Sequence, residues 1–166
     1  MHEQTTDAEA FRILFVCTGN TCRSPMAEAL ARRALERRGW RHVEVSSAGV
    51  ATGGGRPASE GARAAAAKHG LDLSPHRSAP LTKELLERTD LVLAMTPTHL
   101  AVVDEIGSRG RAALLTHFAA GSDGYDVPHS VTDPFGGPPE VYEDSLRILE
   151  RLVDDALDRL EPLVAP

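Results

Sequence analysis

Apolar and polar positions follow one another along this chain in blocks whose period changes. Residues 12–16 (RILFV) form a nearly continuous apolar run that stops at CTGN, the pattern of a short strand buried on both faces. Ser24 and Pro25 then offer an N-cap and a proline suited to the first helical position. Ala27, Leu30, Ala31, Ala34 and Leu35 recur on one helical face as far as Gly39. Strand, tight loop and helix therefore succeed one another. The alternation continues with a strand at 43–46 (VEVS), a helix after Pro57, a short helix behind Thr82 and a strand at 90–95 (DLVLAM). A helix introduced by Thr96 and Pro97 and a weaker strand at 112–115 come next. A last helix, roughly Pro139 to Leu160, puts Leu146, Leu149, Val153, Ala156 and Leu160 on one stripe and its acids on a solvated face. This order predicts an α/β fold, a parallel sheet with helices on both faces. The longest stretch without a predicted element, 117–137, holds VTDPFGG; a connection of that length in a small domain usually has a function or is disordered.

Composition narrows the function classes. A chain of 166 residues, 42% hydrophobic and 25% charged, suffices for one core. Residues 1–10 lack apolar periodicity and are expected to be a flexible tail, leaving 11–166 as a single domain. The formal net charge of -6 argues against a global basic surface for nucleic acid or anionic lipid, so an anion must be bound locally. Neither a long apolar run nor a basic-then-apolar leader occurs, and a cytoplasmic protein that does not bind membranes is expected. Cys17 and Cys22 are too few for a disulfide framework and two ligands short of a structural zinc site.

The two cysteines lie in VCTGNTCRSPMAEAL, with Cys17 at the carboxyl end of the first strand and Arg23 six positions on. Ligands of parallel sheets bind outside the carboxyl ends of strands, and a helix N-terminus there turns unpaired N–H groups toward an anion. Such N–H groups, the helix dipole and an arginine all favour thiolate over thiol, which makes Cys17 a candidate nucleophile. Arg23 can clamp two phosphoryl oxygens with its planar fork, and Gly19 lets the loop turn its amides inward. Other matches are weaker. Gly53, Gly55 and Ala58 fit G-x-G-x-x-A but do not directly follow a strand and are interrupted by Pro57. The histidines show no HExxH spacing, and Asp123, Asp126 and His129 share a Gly-containing loop of ordinary turn character. No metal is expected.

VCTGNTCRSPMAEAL, SSAG at 46–49 and TDPFGG at 132–137 resemble the low-molecular-weight protein-tyrosine phosphatase family, over about Ile13 to Leu160. The resemblance implies a four-stranded parallel sheet with a phosphate-binding loop after the first strand, and no cofactor. It makes Cys17 the nucleophile, Arg23 the phosphate-binding arginine and Asp133 the general acid. Thr18, Gly19, Asn20, Thr21, Cys22, Ser24 and Phe135 become substrate-contact candidates. Asn20, Ser24, Ser47 and His76 match positions that support the loop by hydrogen bonds. Independent chemistry agrees on Asp133: a leaving oxygen or nitrogen needs a proton, which a carboxylic acid across the pocket supplies.

Thioredoxin-coupled arsenate reductases resemble the same fold and loop but need further cysteines downstream, and none follows Cys22. Thr21 stands where tyrosine-specific members typically carry Ile or Leu, and Phe135-Gly136 where many place successive aromatics. These features are closest to the bacterial protein-arginine phosphatase branch, since a hydroxyl and fewer aromatic walls suit a guanidinium better than a phenyl ring. The expected activity is therefore hydrolysis of phosphoarginine in phosphorylated proteins through phosphocysteine, by a monomer. The alternatives are a tyrosine phosphatase and a non-catalytic phosphate or redox sensor. In a sensor, Cys17 and Cys22 would join under peroxide.

Overall fold

In the computed structural model, which describes residues 10–121 and 127–164, the first apolar run lies within strand β1 (Phe11–Cys17). β1 is followed by α1 (Arg23–Arg38), β2 (Val43–Gly49), α2 (Glu60–Lys68), α3 (Lys83–Glu87) and β3 (Leu91–Ala94). Then come α4 (Pro97–Ile106), β4 (Ala112–Leu114), α5 (Leu115–Ala120) and α6 (Pro139–Val164). The four strands are parallel in the order β2-β1-β3-β4, as the pattern and the resemblance imply. The tail expected at 1–10 falls almost wholly outside the described residues, as do Asp123 and Asp126.

The two-residue period of β1 divides the interior. Ile13, Phe15 and Cys17 enter a large core with Met26, Leu30 and Leu35 of α1, Ala62 and Ala66 of α2, and Leu146, Leu149, Val153 and Leu160 of α6. Leu14 and Val16 face the other way, toward Leu86 of α3 and Val103 of α4. A strand apolar on both faces over Ile13 to Cys17 is thus what helices on both sides of the sheet require. Among the described residues no helix is long and apolar enough to cross a membrane.

Three local departures from the expected pattern have physical causes. Ser24 does not cap α1: the helix starts two residues earlier than expected, at Arg23 with Cys22 in the cap position, and the Ser24 hydroxyl turns sideways to bond Cys17 and Asn20. β2 runs on through SSAG because Val16 and Cys17 pair with Ala48 and Gly49, a register that local polarity conceals. The stretch expected to lack structure from His117 begins inside α5. That helix has no side-chain N-cap bond; Leu115 and Ala119 hold it by burial, and Gly121 ends it in the left-handed region.

Candidate active site

The strand order changes direction at β1, with β2 on one side and β3 on the other, and the loop after Cys17 opens at this switch point. The backbone N–H groups of residues 18–24 find no acceptor among the described residues. They form an anion cradle at the start of α1. Asn20 makes the reversal possible by adopting φ 58°, a region in which its short polar side chain can be stabilised locally.

Buried polar groups fix this loop from behind. Asn20 is fully buried, and its Nδ2 donates to Ser24 Oγ at 2.7 Å and Ser47 Oγ at 2.9 Å. Its Oδ1 accepts the Ala79 N–H at 2.9 Å, and Ser47 Oγ donates to Glu28 Oε1 at 2.6 Å. His76 Nε2 bonds the Asn20 carbonyl oxygen at 2.7 Å. Ser47 and His76 therefore brace the loop without entering the cleft, and a network with its members satisfied confers rigidity.

Cys17 Sγ lies 2.9 Å from Ser24 Oγ. Arg23, only 4% exposed, donates through one terminal nitrogen to the Val131 carbonyl at 3.0 Å; the other lies 3.5 Å from Asp133 Oδ2, and Nε has no partner among the described residues. Val131 N–H in turn donates to Met95 O at 2.9 Å, just beyond β3. The acidic loop is thus hung on the sheet on one side and on the guanidinium on the other. Asp133 Oδ1 accepts the Phe135 N–H at 3.0 Å, a turn that leaves its carboxylate half-exposed at the mouth.

Cys17, Thr18, Gly19, Thr21, Cys22, Arg23, Asp133 and Phe135 line one cleft of about 690 Å³. Asn20 and Ser24 do not; of the sequence candidates for substrate contact, these two can reach an anion only through backbone N–H. The loop containing Gly53 and Gly55 supplies another wall of this cleft, with Arg56 and Arg63.

Several contributors leave little mark in the sequence. Cys22 Sγ lies 3.1 Å from the hydroxyl of Ser59, the α2 N-cap, whose N–H donates to Thr21 O. Tyr142, from α6, brings its hydroxyl 4.0 Å from Cys22 Sγ, and burial pushes its phenol pKa up. His99 bonds Thr18 Oγ1 through Nε2 at 2.8 Å; burial first, then Arg23, pushes its pKa down to about 4, with Asp133 opposing. Only the Ser59 cap was detectable locally, as a hydroxyl before an alanine-rich helix. His129 bonds His117 at the surface, at 2.8 Å.

A nucleophilic sulfur, a donor-lined loop, a buried guanidinium and an opposed carboxyl are the parts needed for phosphoryl transfer to a thiolate. The family model of low molecular weight phosphotyrosine protein phosphatases matches residues 12–163. A protein-arginine-phosphatase of Geobacillus stearothermophilus is 42% identical over 153 residues, covering 91% of this chain and 97% of the relative. That of Bacillus subtilis is 43% identical, covering 90% and 96%. A probable low molecular weight protein-tyrosine-phosphatase EpsP of Ralstonia nicotianae is 38% identical, covering 91% and 97%. Among solved structures, a YwlE arginine phosphatase mutant with a phosphorylated active-site serine superposes with a TM-score of 0.83 at 40% identity, covering 91% of this chain and 96% of that one. With family match, identity and fold in agreement over nearly the whole chain, it belongs to the low molecular weight phosphotyrosine protein phosphatase family.

Proposed function

We propose that this phosphatase hydrolyses phosphoarginine in proteins through a phosphocysteine intermediate. The observation that carries this reading is the arrangement of Cys17, Arg23 and Asp133 round the loop, with the Thr21 hydroxyl residue in its wall. Cys17 thiolate attacks phosphorus in line, forming S–P as N–P breaks. Arg23 and the loop N–H groups hold the equatorial oxygens, and Asp133 gives its proton to the departing guanidinium nitrogen. Asp133, now a carboxylate, takes a proton from the water that attacks phosphocysteine, releasing phosphate. The Ser24 hydroxyl, donating to Cys17 Sγ, stabilises the thiolate as leaving group. A pure phosphate or redox sensor would have no need of Asp133 opposite Arg23.

Support for arginine over tyrosine comes from Thr21 and from the 42% and 43% identities to proteins named protein-arginine-phosphatase. One observation favours the tyrosine reading: Phe135 is 72% exposed at the cleft, where it could lie against a phenyl ring. Phosphoarginine and phosphotyrosine peptides at matched concentrations decide between them. The wild type is expected to prefer phosphoarginine. Thr21→Ile should lower the phosphoarginine-to-phosphotyrosine ratio of kcat/KM by roughly tenfold to a few hundredfold. Preference for phosphotyrosine together with a ratio unmoved by Thr21→Ile would establish the tyrosine alternative. We also read residues 11–166 as one domain, supported by the match over 12–163, and the protein as a cytoplasmic monomer, the compartment being one in which two unpaired thiols persist.

A further inference from the structure

His99 is 3% exposed in the first turn of α4, where its backbone N–H is capped by Thr96 Oγ1 at 3.2 Å. α4 leaves the carboxyl end of β3 and the phosphate loop leaves that of the neighbouring β1, so the two turns meet at the switch point. There His99 Nε2 lies 2.8 Å from Thr18 Oγ1. Thr18 itself is exposed and lines the cleft. The second ring nitrogen, Nδ1, is buried and has no partner among the described residues.

A neutral imidazole carries one N–H and one lone pair. A proton on Nδ1 would orphan a buried donor; a proton on Nε2 leaves only a lone pair unmet, which folded proteins tolerate better. Nε2–H therefore donates to Thr18 Oγ1, and the hydroxyl keeps its own hydrogen for another acceptor. Since Thr18 borders the cleft, that acceptor is available there whenever a phosphoryl group is bound. The charged groups near the ring are Arg23 and Asp133, and burial keeps the imidazole neutral beside the guanidinium.

We propose that His99 is a positioning residue of the phosphate loop, orienting Thr18 so that its hydroxyl donates to a phosphoryl oxygen. This adds a side-chain donor to the backbone N–H groups and Arg23, and it rests on the phosphatase reading of the same cleft.

A double-mutant cycle of Thr18→Val and His99→Phe tests the coupling, with p-nitrophenyl phosphate as substrate and inorganic phosphate as competitive inhibitor. Each single variant is expected to raise the phosphate inhibition constant roughly tenfold, the effect of one hydrogen bond to a charged oxygen. The double variant should be no worse than the weaker single, and His99→Gln, which retains a donor, should recover most of the loss. The 15N shifts of the His99 ring should place the proton on Nε2. Losses that multiply in the double variant, a proton on Nδ1, or a His99→Phe that lowers Tm without moving phosphate inhibition would each overturn the proposal. Should His99→Phe fail to fold, an unchanged inhibition constant in Thr18→Val overturns it equally. A wild type that does not hydrolyse p-nitrophenyl phosphate refutes the phosphatase reading itself, whereas normal hydrolysis with multiplicative losses refutes only the role of His99.

Discussion

A methyl group at position 49 would stand 2.6 Å from the Thr18 carbonyl oxygen and 3.0 Å from the Asn20 nitrogen. Both are backbone atoms of the phosphate loop, so neither yields without moving the cradle. Gly49→Ala is expected to lower kcat/KM about a hundredfold, the scale of a 1 Å misplacement, at a stability cost of roughly 1–3 kcal/mol. Steady-state kinetics beside thermal melting would check both. His99 has a different signature. Its pKa of about 4 in the fold lies below the ordinary 6.5, so between these values the unfolded chain binds the extra proton. Stability should therefore fall as pH drops from about 6.5 toward 4, by up to about 3 kcal/mol. His99→Phe should remove that part of the slope in urea melts taken across this range. Cys17 and Arg23 were legible as candidates from residue type and spacing, whereas Asp133 came from the family resemblance of TDPFGG. The task of Gly49 was not legible, because it depends on a neighbouring strand bringing two backbones together.

At the scale of elements, α2 and α6 meet at Gly61. A β-carbon there would overlap the Tyr142 ring, whose hydroxyl reaches toward Cys22 and whose neighbour Ser59 both caps α2 and touches the same thiol. Gly61→Ala should therefore destabilise the fold by about 1–3 kcal/mol through overpacking, although alanine favours a helix by about 1 kcal/mol over glycine. Denaturant unfolding reads the sign directly: a stabilised variant would show that Tyr142 moves aside freely. Periodicity predicted the amphipathic α6 well, since one stripe of leucines suffices. It missed α5, which is six residues long and held by tertiary burial, and it misplaced the start of α1. Ser24 has the chemistry of a cap, but its hydroxyl is drawn to Cys17 and Asn20 by contacts that only the closed loop provides.

For the whole molecule, the relevant contrast is between a chain of net charge -6 and a cleft built from N–H groups and Arg23, with Arg56 and Arg63 at its wall. Inorganic phosphate that binds this cleft stabilises the folded state by mass action. A hundredfold excess over Kd should add about 2.7 kcal/mol, which raises Tm by several degrees. Arg23→Ala should abolish that shift in calorimetry; an equal shift in both proteins would mean that phosphate acts elsewhere. The amino-acid sequence by itself determined the layered α/β architecture, because alternating periods of two and 3.6 residues declare strands and helices locally. It also determined the phosphate loop, whose cysteine, glycine, arginine and proline lie within one short segment. Tertiary structure alone decided how distant groups converge: Asp133 and Phe135 reaching the cleft from beyond α5, His99 meeting Thr18 across β1 and β3, and Ser47, His76 and Ala79 closing round Asn20. Those contacts follow from the order β2-β1-β3-β4 and its parallel register, which bring the loops leaving the carboxyl ends of the strands to one end of the sheet. Local periodicity reports which face a residue presents, whereas strand order determines its neighbours.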